Sequence, residues 1–115
     1  MNDTDIPILK KTYDLYKIFD EYRKVIPQRH RFTLYSRCED ILLDVMQIFY
    51  EAGYMKGTAR LELLNKASVK LNMVRVFVRL LKDTRCIDEK KYLVLQTNID
   101  EIGRMLGGWI RSIPR

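Results

Sequence analysis

Tyr92, Leu95, Ile99, Ile102, Leu106, Trp109 and Ile113 recur at alternating intervals of three and four residues. An α-helix turns once every ~3.6 residues, so this spacing lays one apolar seam along a rod. A strand would need alternate residues instead. The same period occurs in three earlier segments of the 115-residue chain. One amphipathic helix cannot stand alone in water, but four together can bury their seams against each other. The pattern therefore predicts an all-α fold, an antiparallel up-down-up-down four-helix bundle in a single domain over residues 1–115.

The boundaries follow from caps and breakers. The first helix is expected over about 6–25, with Asp5 as its cap, Pro7 in its first turn and Pro27 as its stop. Ile8, Leu15, Ile18, Phe19, Tyr22 and Ile26 share its inner face. A polar connection, Pro27 to Arg31, leads to a second helix over about 33–54, capped by Thr33. Its inner line is Leu34, Cys38, Ile41, Val45, Ile48 and Ala52, widened by Leu42 and Phe49. Gly53 and Gly57 bracket the next turn. A third helix over about 58–84 points Leu61, Leu64, Leu71, Val74, Val78 and Leu81 inward, with Phe77 and Leu80 widening the stripe. Asp88 caps a fourth over about 88–112, without a full capping box because Lys91 takes the third position. Connections this short make sequence neighbours antiparallel.

The chain carries 21 Lys and Arg against 15 Asp and Glu, a net charge of +6. Such an excess favours an anionic partner. Between Arg60 and Arg85 stand seven basic residues, Arg60, Lys66, Lys70, Arg75, Arg79, Lys82 and Arg85, against two acids, Glu62 and Asp83. Arg75, Arg79 and Lys82 fall on one side of the third helix, extended by Ser68 and Asn72. This stripe is either a track for a phosphate backbone or a solvated face that keeps the protein soluble. A second basic cluster, Lys24, Arg29, His30, Arg31 and Arg37, surrounds the first turn. His30 reads more simply as part of that turn than as a general base, since no nucleophile stands in recognisable relation to it.

Catalytic and metal motifs are missing. There is no phosphate-binding glycine loop, dinucleotide fingerprint, HExxH or CxxC. One His and two distant Cys do not make a metal site, so neither metal nor cofactor is expected. Cys38 and Cys86 lie in apolar helical lines and read as buried thiols of a cytoplasmic protein, a disulfide being the alternative. Glu39-Asp40 and Asp100-Glu101 are adjacent pairs whose side chains diverge by about 100° on a helix, unsuited to acid–base work. No signal peptide and no membrane span of ~18 apolar residues is visible. The expectation is a binding protein, not an enzyme.

Gly103, Gly107 and Gly108 are unusual inside a helical segment, where each Gly costs about 1 kcal/mol relative to Ala. Tight packing inside the bundle, close approach of another subunit, and fraying near the end are the three readings, and Trp109 belongs to the same patch. Tyr13 and Tyr16 lie away from Ile8 and Leu15, so they serve either a subunit contact or a widened core.

The run Glu101-Ile102-Gly103-Arg104-Met105-Leu106-Gly107-Gly108-Trp109 closely resembles the C-terminal signature of the accessory variability determinant (Avd) proteins of diversity-generating retroelements. The Pro27 to Leu34 turn is similar to that family's Pro-basic-Arg-Phe turn, and Leu71 to Leu80 to its Leu-Arg-Phe-x-x-Arg helix. The resemblance runs from about Ile8 to Ser112. Its superfamily includes bundle proteins encoded in intervening sequences of bacterial large-subunit ribosomal RNA genes. Their Ala-Glu-Gly turn is not visible here. The resemblance implies a basic four-helix bundle that assembles as a homopentamer. It also implies association with a reverse transcriptase and with RNA or DNA, in support of mutagenic retrohoming, without polymerase chemistry of its own. Arg75 and Arg79 match the family's basic helix; Lys82 and Arg85 join them by geometry alone. The alternative is a structural oligomer of the ribosomal intervening-sequence type with no polymerase partner.

Overall fold

In the computed structural model, which describes residues 6–114, four long helices pack as a bundle of 45 × 25 × 22 Å. They are α1 (Pro7–Tyr22), α3 (Leu34–Ala52), α4 (Gly57–Asp83) and α5 (Glu89–Arg111). Between the first two lie a single turn of 3-10 helix, Arg23–Val25, and a one-turn helix α2 (Gln28–Arg31). The expected polar connection at Pro27 to Arg31 is thus itself wound into a turn. Each long helix packs on two others, α1 on α3, α3 on α4, α4 on α5 and α5 on α1.

Cross-helix contacts show how the rods lie. Arg60 reaches the Ala52 carbonyl while Lys70, further along α4, reaches back to Asp44 on α3. Lys11 meets Glu101 and Tyr22 meets Lys91, again in opposite order along α1 and α5. These pairs of rods run antiparallel. Among the described residues no helix is long and apolar enough to cross a membrane.

Phe19, Tyr35 and Phe49 are fully buried, together with Leu15, Leu42, Leu64, Val74, Val78, Leu81, Leu95, Ile99 and Ile102. Each such side chain contributes roughly 1.5–3 kcal/mol relative to exposure. Phe19 and Tyr35 meet at 5.6 Å between ring centroids, and the Tyr35 hydroxyl donates to the Phe19 carbonyl, so the one polar atom of that pair is satisfied. Cys38 and Cys86 are free and buried, and burial pushes the Cys38 thiol up to about 12, leaving it unreactive.

Several expectations need correction. Leu80, expected to widen the core, is 42% exposed, because the inner line of α4 is satisfied by Leu64, Ala67, Leu71, Val74, Val78 and Leu81. Of the two readings left open for the α1 tyrosines, Tyr16 takes the widened core, packing partly buried against it, whereas Tyr13 stays exposed. Thr33 does not cap α3 with its side chain; its hydroxyl donates to the Arg29 carbonyl at 3.2 Å. Asp88 does cap α5, accepting from the Lys91 backbone N–H at 2.8 Å, which holds its carboxyl below the usual range. The Asp5 cap lies outside the described residues.

Candidate nucleic-acid interface

The basic face of α4 is not uncompensated once the neighbouring helices are in place. Lys70 pairs with Asp44 of α3 at 3.4 Å, Arg75 with Asp100 of α5, and Lys82 with Glu89 of α5 at 3.3 Å. Arg79 pairs with Asp83, one turn along its own helix, at 3.4 Å. Lys82 also sits 4.6 Å from the Tyr92 ring centroid. Counting acids along α4 alone therefore overstates its positive field. Of the α4 cations singled out in the sequence, Lys66 is exposed with no ion pair among the described residues.

The glycines have an internal reason. A Cβ at Gly103 would stand 2.7 Å from Arg75 Nη2, and one at Gly107 would stand 3.2 Å from Arg111 Nη1. The smooth strip on α5 is where the ends of the Arg75 and Arg111 side chains lie. It floors a shallow groove of about 410 Å³ lined by Ser68, Asn72, Arg75, Asp100, Gly103 and Arg104, among others. Gly107 and Gly108 remain helical, so the end of α5 does not fray there. Trp109 is half buried, 6.3 Å from the Phe49 ring, with the Arg60 guanidinium 5.6 Å from its own ring centroid. The tail signature thus packs inside the chain.

Cations without an ion pair among the described residues are found at one end of the bundle. Residues 22–38 contain five basic side chains, Arg23, Lys24, Arg29, Arg31 and Arg37, and no Asp or Glu. The fold gives each a different task. Arg23 is bound to the buried Glu39, and its guanidinium lies 5.3 Å from the Phe32 ring. Burial pushes the Glu39 carboxyl up, an effect that the Arg23 charge opposes. Arg31 donates to the Ile26 carbonyl at 3.0 Å and closes the turn. Lys24 pairs with Glu21 at 2.9 Å. Arg29 and Arg37 are exposed and make no ion pair among the described residues. Phe32, between them in the sequence, is 68% exposed.

The second turn of this end adds Arg85, exposed and held at φ 62°, in a left-handed conformation that closes the α4–α5 connection. Val25 and Arg85 line the same depression, so the two turns are adjacent. The two turns thus expose Arg29, Arg37 and Arg85 at this end, together with a Phe32 ring that has Arg23 beside it. Guanidinium groups contact phosphate oxygens and a ring offers a face on which a base stacks. Phe32 was missed as a site residue, although an aromatic between Arg31 and Thr33 in an acid-free run is a readable signal. Arg104 and Arg111 were missed because nothing in a helical period marks what lies beside a glycine.

Among the described residues no three His, Cys, Asp or Glu side chains come together to hold a metal ion.

A family model described as bAvd-like matches residues 6–113, nearly the whole chain. The chain belongs to the bAvd-like family. The match covers both turns of the basic end, all four long helices and the tail. No curated protein matches the chain. The bAvd-like assignment agrees with the all-α bundle described above. Within it the Gly103 to Trp109 run, the most distinctive stretch of sequence, has a packing explanation, while the exposed Arg29 and Arg37 make no ion pair among the described residues.

Proposed function

We propose that this protein is a non-catalytic accessory subunit of a diversity-generating retroelement. It binds the element's reverse transcriptase and the nucleic acid that enzyme copies, and it supports mutagenic retrohoming as a homo-oligomer, a pentamer by family resemblance. The observation that carries the nucleic-acid part is the acid-free run over residues 22–38, presented with Arg85 at one end of the bundle. Contacts of this kind neutralise phosphates and release counterions, so they confer affinity and position without reading bases. The paired cations of α4 contribute less, because each phosphate they bind must first displace a carboxylate. Repetition of the basic end around an oligomer multiplies a modest single-site attraction.

Co-purification with the adjacent reverse transcriptase and its template RNA, at low and at raised salt, tests the reading. The Arg29→Glu/Arg37→Glu protein is expected to lose RNA at both salts and keep its helicity. The Arg75→Glu/Arg79→Glu protein is expected to retain more of it. Equal retention of RNA by the wild type and the Arg29→Glu/Arg37→Glu variant contradicts the assignment of the site. Absence of the polymerase from every eluate contradicts the accessory role.

A further inference from the structure

Of the four Phe residues, Phe19 and Phe49 are fully buried and Phe77 packs against the core, while Phe32 is exposed. An isolated apolar side chain in water is ordinary, so exposure alone decides nothing. What singles out Phe32 is its setting. It ends α2, directly after Arg31, and the Arg23 guanidinium lies over its ring. Arg23 is held in place by the buried Glu39, whose carboxylate accepts from Nη1. The ring therefore rests on a cation that is itself anchored to α3. With one face under that guanidinium, the exposure of the ring falls on the opposite face and the edge.

The backbone keeps two free cations close to this ring. The Thr33 hydroxyl donates to the Arg29 carbonyl at 3.2 Å, and the Thr33 carbonyl accepts from the Arg37 N–H at 3.0 Å. Arg29 and Arg37 are thus each one hydrogen bond from Thr33, the residue next to Phe32. Both are exposed and make no ion pair among the described residues. Along the chain the order is cation, aromatic, cation. A ligand that alternates negative charge with flat rings fits that order, and a single nucleic-acid strand is such a ligand. A duplex is not, because its bases are already paired and stacked, and bringing one out costs unstacking.

We propose that Phe32, backed by Arg23, is a stacking platform for one unpaired base, so that this end of the bundle favours single-stranded over double-stranded nucleic acid. The inference rests on the nucleic-acid reading above and adds to it the strandedness of the ligand. Phosphate contacts from Arg29 and Arg37 act on either form, whereas stacking acts only on a free base. Every base has a π-face, so the platform selects strandedness and not sequence. Because Glu39 already fixes Arg23, the platform has little freedom to lose on binding.

Fluorescence anisotropy with three labelled probes tests it: a single-stranded RNA, the same strand annealed to its complement, and a sugar–phosphate strand of equal length without bases. Phe32→Leu is expected to weaken binding of the single strand by about 5- to 150-fold and to leave the other two affinities unchanged. Its salt slope should equal that of the wild type, since no charge is removed. Phe32→Trp is expected to keep the single-strand affinity. Its fluorescence should fall on binding that strand by more than in the wild type, whose one Trp, Trp109, packs against Phe49 and Arg60. If Phe32→Leu loses helicity, this quenching carries the test. Phe32→Leu binding all three probes as the wild type does, or weakening all three alike, overturns the proposal, as does an absence of added quenching. Loss of the co-purifying polymerase with RNA affinity intact also overturns it and gives the ring to a protein contact. Arg29→Glu/Arg37→Glu, measured alongside, separates the failures. If that variant loses all three probes and Phe32→Leu loses none, the stacking inference alone falls; if neither loses a probe, the nucleic-acid reading falls with it.

Discussion

Gly57 opens α4 at φ +56°, a backbone conformation that costs an L side chain roughly 1–2 kcal/mol, and nothing lies within 4 Å of where its Cβ would stand. Gly103 is the opposite case. Its backbone is ordinary helix, and the space where a Cβ would go is filled by the end of a flexible Arg75. Gly57→Ala is therefore expected to lower stability by about 1–2 kcal/mol. Gly103→Ala gains about 1 kcal/mol of helix propensity and loses a half-exposed ion pair worth ~0–1 kcal/mol, for a net change near zero. Urea denaturation of the two variants checks the contrast. Equal losses at both positions would show that Gly103 is needed for more than room beside Arg75. A glycine's purpose was not legible in the sequence. The strip stood out, but whether a ring, a backbone or a guanidinium filled it depended on Arg75, which lies on another helix.

At the scale of elements, period and caps carried most of the information. The four long helices lie within a few residues of where three- and four-residue spacing puts them, since that spacing directly encodes one buried face. Asp88 was legible as a cap because a short acceptor before an amphipathic run satisfies a free N–H. Thr33 had the same credentials, yet its hydroxyl bonds back to Arg29, the preceding one-turn helix α2 having supplied a nearer acceptor. Asp88→Ala is accordingly expected to lower the Tm more than Thr33→Ala does, by thermal circular dichroism at neutral pH. The Asp88 carboxyl is held below its ordinary 3.8, so the folded state binds its proton more weakly than the unfolded chain. Its contribution is thus fully present above pH ~4 and fades as pH falls through the lowered value. The Tm difference between wild type and Asp88→Ala should shrink on acidification; a constant difference would contradict the cap as its source. What periodicity cannot tell is which of two lines on one helix faces in. Leu80 belongs to the outer line with Val69, Met73 and Val76, and only the packing of α4 on α3 and α5 separates it from Val78 and Leu81.

For the whole molecule, the net charge of +6 is less telling than its distribution. Lys70, Arg75, Arg79 and Lys82 are balanced by Asp44, Asp100, Asp83 and Glu89, three of them on other helices and so hidden from any count along α4. The turn cluster of Lys24, Arg29, His30, Arg31 and Arg37 was legible because its lack of acids is a local property of the chain. Its juxtaposition with Arg85 was not, since the fold alone brings the two turns to one end. The bundle holds the two turns, and so these side chains, side by side at one end of the molecule.

The central claim is that the exposed guanidinium groups of this end bind phosphates. It is tested most directly by the dependence of single-stranded RNA affinity on salt, measured by fluorescence anisotropy for the wild type and for Arg29→Glu/Arg37→Glu. At about 0.7 counterions released per phosphate contact on a single strand, loss of two contacts should flatten the slope of log K against log salt by roughly 1.4 per protomer engaged. Identical slopes and affinities for the two proteins would contradict the account.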